Sequence, residues 1–378
     1  MRKAVYLLLG MVLVLSLVVT SCGQSTSTPI KIGLVDSFTG AVAQQCALLR
    51  DGAQIAVDEV NAAGGIKGRK VEMIVQDDAL DPAKTTAIAK QFKERDNVNI
   101  IIGANASTSA ISLAKFADNN KLPAVGGQPA AEDLSKYNYY FRAFTTNSEF
   151  AKGLLVIAKN LGFTKVGVSY INLAWGSDLN RMIVQYAPDY GITVVGSEGV
   201  ESGGTDAMIQ AKKLKDAGAQ AVLNPDYASG VLAFAQARKA LGWNVPMIEI
   251  ETTFGPALGA ADPAIYEGYN VLGFQDNTNP RVKAVWDAYE KKFNKRVEDS
   301  NILGGYDMAM VAMTGLKNAS NPNDPAAVQK ALEAMSGYQQ VRGKLNQSSS
   351  FTANRHYLIS ATDMVHAVVK SGKILPFK

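Results

Sequence analysis

Apolar residues follow two rhythms along this chain, and the rhythms alternate. Short runs rich in β-branched and aliphatic residues, fit for buried strands, fall at residues 30–35, 71–75, 100–102, 123–125 and 139–144. Between them lie stretches with apolar residues at helical spacing, such as Leu48, Ile55, Ala56 and Val60 in a helix predicted over 46–61. A second helix is predicted from Pro82 to about residue 94, and a third carries Ile111, Leu113, Ala114 and Phe116. After a helix over 147–161 the rhythm starts again. Strands are predicted at 165–170, 193–200, 221–223, 246–251 and 269–275, with helices at 206–217 and 229–241. Helices at 281–293, 303–318 and 325–335 follow, and late strands are expected at 341–345 and 357–361. Strand–helix alternation of this kind predicts α/β architecture with parallel-rich sheets, and its repetition predicts two lobes of like topology.

The stretch 99–115 is the most informative. Ile100, Ile101 and Ile102 fit a parallel strand covered on both faces, and Gly103 ends it. Ser107, Thr108 and Ser109 then offer capping hydroxyls at a helix start, where free backbone N–H groups converge. Such a start accepts a carboxylate or similar small anion, and equally suits an ordinary capped turn.

The N-terminus has a different character. Met1-Arg2-Lys3 precedes a nearly unbroken apolar run over residues 4–19, too short for a comfortable membrane span and suited to a signal segment. The run ends in Val19-Thr20-Ser21-Cys22-Gly23, which resembles a bacterial lipobox. That resemblance implies cleavage before Cys22, acylation of its sulfur and a membrane anchor, with 24–29 as a flexible tether. Cys46 would then have no disulfide partner.

Composition narrows the chemistry. At 378 residues the chain exceeds one typical core, and its net charge of +4 comes without a Lys/Arg cluster interleaved with aromatics, which excludes a recognisable nucleic-acid surface. Two cysteines and two histidines, His356 and His366, supply neither a zinc set nor an acid–base constellation, and no cofactor is called for. Nucleotide-binding glycine loops and a nucleophile elbow are absent, which argues against an α/β enzyme.

Several phrases together resemble the Leu/Ile/Val-binding protein family, the type I solute-binding proteins of ABC importers. They are Ile32-Gly33-Leu34 with Thr39-Gly40, Gly64-Gly65-Ile66-Lys67-Gly68-Arg69-Lys70, Asp77-Asp78-Ala79 with Asp81-Pro82, and Ile101-Ile102-Gly103 with its Ser/Thr turn. The likeness runs from Ile30 to the C-terminus. It implies two Rossmann-like lobes, here 30–144 plus 276–342 and 145–275 plus 343–378, joined by three hinge crossings and closing on a small ligand. It also implies a monomeric, extracytoplasmic binding protein that serves a membrane permease and its ATPase.

By the same resemblance the carboxylate anchor falls on Ser107, flanked by Asn105 and Thr108. A second anchor loop falls on 128–130, where Gln128 and Ala130 stand in place of the family's hydroxyl. The aromatic wall falls on Trp175, expected in a strand-to-helix loop, and on Tyr227. The ammonium-binding acid falls on Glu251 at a strand end, and Phe38 and Gln45 in the first loop are further candidates. A zwitterionic amino acid would use Ser107 and Glu251 together. An aromatic or other carboxylic acid, or an amide, remains open, as does a sensor role without transport.

Overall fold

The computed structural model describes residues 28–40, 42–260 and 262–377; Cys22 and the signal segment lie outside the described residues. Strands β1 (Ile30–Asp36), β2 (Val71–Asp77), β3 (Ile100–Gly103), β4 (Ala124–Gly126) and β5 (Tyr140–Arg142) form a parallel sheet in the order β2-β1-β3-β4-β5. The isoleucine run of β3 shows why both faces must be covered. Ile100 and Ile102 enter one apolar cluster, Ile101 enters another, and all three are fully buried.

The second sheet contains β6 (Lys165–Ile171), β7 (Thr193–Val200), β8 (Ala221–Leu223), β9 (Met247–Ile250) and β10 (Asn270–Gly273), all parallel. Two antiparallel strands, β11 (Val365–Lys370) and β12 (Lys373–Pro376), extend its edge in the order β12-β11-β10-β9-β8-β6-β7. The helices are α1 (Ala43–Ala62), α2 (Pro82–Gln91), α3 (Ser107–Asn120), α4 (Asn147–Asn160), α5 (Ala174–Tyr186), α6 (Met208–Asp216), α7 (Ala228–Ala240), α8 (Glu251–Ala260), α9 (Pro280–Phe293), α10 (Ser300–Asn318) and α11 (Pro325–Glu333).

Three crossings join the lobes. The chain leaves β5 for α4, which packs in the second lobe through Phe150, Leu154 and Leu155. It returns after β10, so that Val282, Trp286, Ile302 and Leu332 share a core with β1 and β3, and crosses again before β11. This last crossing corrects the expected strands at 341–345 and 357–361. Each pairs only through a single bridge, Gln275 with Gly343 and Arg142 with Tyr357, because these segments run past the ends of neighbouring strands rather than alongside them. The expected strand at 139–144 is likewise shorter, and α8 was not anticipated, since Thr252, Thr253, Gly255 and Gly259 are poor helix formers.

At the hinge Arg342 is fully buried. Its Nη2 donates to the carbonyls of Gly127 (2.9 Å) and Ala143, and the guanidinium lies 4.6 Å from the centroid of the Phe144 ring. Asp307 faces it at 3.7 Å and accepts the backbone N–H groups of Val341 (2.9 Å) and Arg342 (3.0 Å). One ion pair thus ties the third crossing to the first, and to the 127–130 loop.

Helices α1 and α10 cross in the first lobe with almost no side-chain separation. A Cβ on Gly305 would stand 1.7 Å from the Leu49 carbonyl oxygen, and one on Gly52 would stand 1.9 Å from that of Ile302. Gly305→Ala is therefore expected to force the helices apart and destabilise the protein by about 1–3 kcal/mol, read as a lower urea midpoint at unchanged slope.

Candidate functional site

The cleft is a place where helices begin. Val42 precedes α1, Ser107 opens α3, Trp175 lies in the first turn of α5, Tyr227 precedes α7, and Thr252 and Thr253 lie in the first turn of α8; all line one pocket between the lobes. None of α1, α3, α5 and α7 has a side-chain cap at its start. Four helices facing elsewhere do, Asp81, Asn279, Asp299 and Asp324 capping α2, α9, α10 and α11, and Thr146 caps α4, whose Phe150 lines the pocket. Uncapped backbone N–H groups and four positive dipole ends are thereby aimed toward the cleft.

The wall toward the second lobe is aromatic. Trp175 and Tyr227 stack with centroids 5.5 Å apart and planes 9° from parallel, and Phe144 and Phe150 complete it. The opposite wall is polar. Ser107 is buried, and its Oγ accepts from the backbone N–H of Ala130 (3.2 Å) and of Ala131 (3.3 Å). Asn105 accepts from Gly127 N–H at 2.8 Å and donates to Asp36, whose carboxylate also takes the Cys46 thiol at 3.1 Å. Burial pushes the Asp36 carboxyl up to about 6 and the Cys46 thiol up from its ordinary value. Gln45 donates to Gln128, which donates to Asn301, whose amide in turn donates to the Thr252 carbonyl at 3.1 Å. No Asp, Glu, Lys, Arg or His is among the described residues lining this pocket. In the present lobe arrangement the walls leave about 20 Å³, room for about one water, so a solute needs the lobes further apart to enter.

The structure brings six of the sequence candidates together here: Gln45, Asn105, Ser107, Gln128, Trp175 and Tyr227. The other four stand outside the lining. Thr108 is on α3 one residue past Ser107, and Ala130 is fully buried behind Ser107. Phe38 is half-buried, touches the apolar clusters of both lobes and lies under Arg50 at 5.5 Å. Glu251 points away from the cleft, its Oε2 accepting the N–H of Phe274.

Details of placement also differ from expectation. The N-cap of α3 is Ala106, so Ser107 is the first helical residue rather than the cap. Trp175 is on α5 rather than in a loop, and Gln45 is on α1. Sequence reasoning missed Val42, Cys46, Ala106, Phe144, Phe150, Thr252 and Thr253. A signal for the threonines was present, since paired hydroxyls directly after a predicted strand mark a helix start.

Two parallel-rich lobes joined by three crossings enclose a cleft lined by helix starts, the architecture of a bilobal binding protein. The chain belongs to the periplasmic binding protein family, whose profile matches residues 29–373. It is 26% identical over 309 residues to a leucine-, isoleucine-, valine-, threonine- and alanine-binding protein of Pseudomonas aeruginosa, covering 81% of this chain and 82% of that one. Its fold is like that of a branched-chain amino acid transporter substrate-binding protein from Streptococcus pneumoniae in complex with isoleucine. There the TM-score is 0.80 at 22% identity, over 92% of this chain and 98% of that one. It is also like a solute-binding protein of an ABC transporter from Rhodopseudomonas palustris in complex with 3,4-dihydroxybenzoic acid, with a TM-score of 0.81 at 19% identity over 93% and 96% of the two chains. The family binds solutes and is not enzymatic.

Burial, reinforced by the nearby Asp299 charge, pushes the Glu251 carboxyl up to about 7. The folded state then holds this proton more tightly than the unfolded chain, so the group's contribution to stability is lost as pH rises through the window from about 4.5 to 7. Glu251→Gln is expected to gain about 3 kcal/mol on the wild type between pH 4 and 8, measured by urea unfolding at each pH.

Proposed function

We propose that this protein is the solute-binding component of an ABC importer, closing its lobes on a small carboxylate whose body is apolar and bears no ammonium group. The observation that carries this reading is the neutral cleft onto which four uncapped helix starts open. A carboxylate would sit at the start of α3 with Ser107 and Asn105, where backbone N–H groups and the helix dipole favour negative charge. Gln45 and Gln128 would supply amide donors, and the Trp175–Tyr227 stack with Phe144 and Phe150 would hold the ligand body. An ammonium group would find no carboxylate in this lining, and leaving it desolvated without a counter-charge is costly.

A zwitterionic amino acid is the second reading, supported by what the Pseudomonas and Streptococcus proteins bind. Its ammonium would rest on the Thr252 and Thr253 hydroxyls and the amide oxygens of Gln45 and Gln128. In either case the mature protein would be held at the membrane surface through lipidated Cys22, as a monomer, and would deliver its ligand to a permease powered by an ATPase.

Thermal-shift screening against amine-free aromatic and aliphatic acids, amides and the amino acids tests the ligand class. Stabilisation confined to amine-free acids and amides is expected; stabilisation by amino acids alone would refute the amine-free reading and leave the second. For a ligand found this way, Ser107→Ala is expected to weaken binding by about tenfold or more, the scale of one hydrogen bond to a charged group, and Trp175→Ala to weaken it comparably, both by calorimetric titration.

A further inference from the structure

Glu251 has left the cleft, yet it is not isolated. It lines a separate cavity of about 290 Å³ between α8, the 275–277 segment, the start of α10 and the C-terminal hairpin. Three carboxylates border that cavity: Glu251, Glu298 and Asp299. Glu298 is already paired with Arg296 at 2.8 Å. Asp299 spends Oδ1 on the N–H and amide of Asn301, at 2.8 and 2.7 Å, while its Oδ2 faces Gly255, 3.1 Å from where a Cβ would be. Lys373 also borders the cavity, is exposed, and makes no ion pair among the described residues.

Two further groups point to a ligand. Ser300 is 2% exposed, borders the cavity, and its Oγ has no hydrogen-bond partner. The Oε1 of Gln275, also on the cavity wall, is buried and unpartnered as well. Buried polar atoms of native proteins are almost always satisfied. The open acceptors here are two carboxylates, an amide oxygen and a hydroxyl, and they call for a donor with positive charge. Apolar groups stand beside them: Leu258, Ile374 and Leu375 complete the wall.

We propose that this hinge cavity is a second binding site, taking a primary alkylammonium ion with its N–H groups on Glu251, Asp299, Ser300 and Gln275 and its alkyl chain along Leu258, Ile374 and Leu375. A primary ammonium offers three donors and one charge, matching acceptors that face the cavity from several sides. The site bridges the lobes, because Asp299 and Ser300 open a helix of the first while α8 and the hairpin belong to the second. It is also connected to the cleft: Asp299 holds Asn301, and Asn301 accepts from Gln128 on the cleft wall. Occupancy of one site therefore bears on the arrangement of the other.

The test uses the full chain and n-butylammonium chloride, with tetramethylammonium chloride at equal ionic strength as the control that cannot donate hydrogen bonds. Butylammonium is expected to raise Tm by about 2 °C or more above the control, a shift equivalent to a modest binding energy in a protein of this size. Glu251→Gln and Asp299→Asn are expected to abolish that shift. Asn still caps α10, so the second variant keeps its helix start, and each variant is compared with itself without amine. Trp175→Ala, in the cleft, is expected to retain the shift. Equal behaviour of the two salts on the wild type overturns the proposal, and so does a shift that survives both carboxylate variants. Loss of the shift in Trp175→Ala would place the amine in the cleft, overturning this site and the amine-free reading of the cleft together.

Discussion

A helix cannot satisfy its own first backbone N–H groups, and in this protein that constraint shapes the cleft between the lobes. Helices that point away from the cleft solve it locally, with Asp81, Asn279, Asp299 and Asp324 folding back onto the first turn. Of the helices that open onto the cleft, α4 is capped by Thr146, whereas α1, α3, α5 and α7 have no side-chain cap. Their starts carry Val42, Ala106, Leu173 and Tyr227, none of which caps through its side chain. The parallel sheets make this convergence possible, because every crossover places a helix start beside the carboxyl end of a strand, and both lobes present that end to each other.

The hinge must hold this geometry while allowing the lobes to part. Arg342 and Asp307 form a buried pair whose remaining bonds go to backbone groups on other segments: Gly127, Ala143, Val341 and Arg342 itself. A buried ion pair of this kind contributes little net stability, since desolvation offsets most of the attraction. Its effect is on position. It fixes the loop that carries Gln128 relative to the crossing segments, so the polar wall of the cleft has a defined place.

Glu251 shows how a resemblance can locate a segment without fixing which way a side chain faces. The segment reaches the cleft, as expected, but Thr252 and Thr253 line it. Strand β9 ends one residue earlier than anticipated and Glu251 begins a helix, and that small shift rotates the carboxylate toward Phe274 and the hinge cavity. The described lining of the pocket is thereby left without an acid.

Local patterns in the chain were enough for the two-lobed α/β class and most strand and helix positions, because period and β-branched runs depend on neighbours close in sequence. Six of the ten residues singled out share one pocket for the same reason: strand ends and helix starts are locally marked, and the fold brings like ends together. The late strands were misplaced because the true ones, β11 and β12, form an antiparallel hairpin of mixed composition with β12 at the sheet edge, while the segments that looked like strands are crossings. Only tertiary structure decided which face each helix start presents, that Phe144 and Phe150 complete the aromatic wall, and that Glu251 faces the hinge. Those outcomes depend on contacts between residues far apart in the chain, for which local periodicity carries no signal.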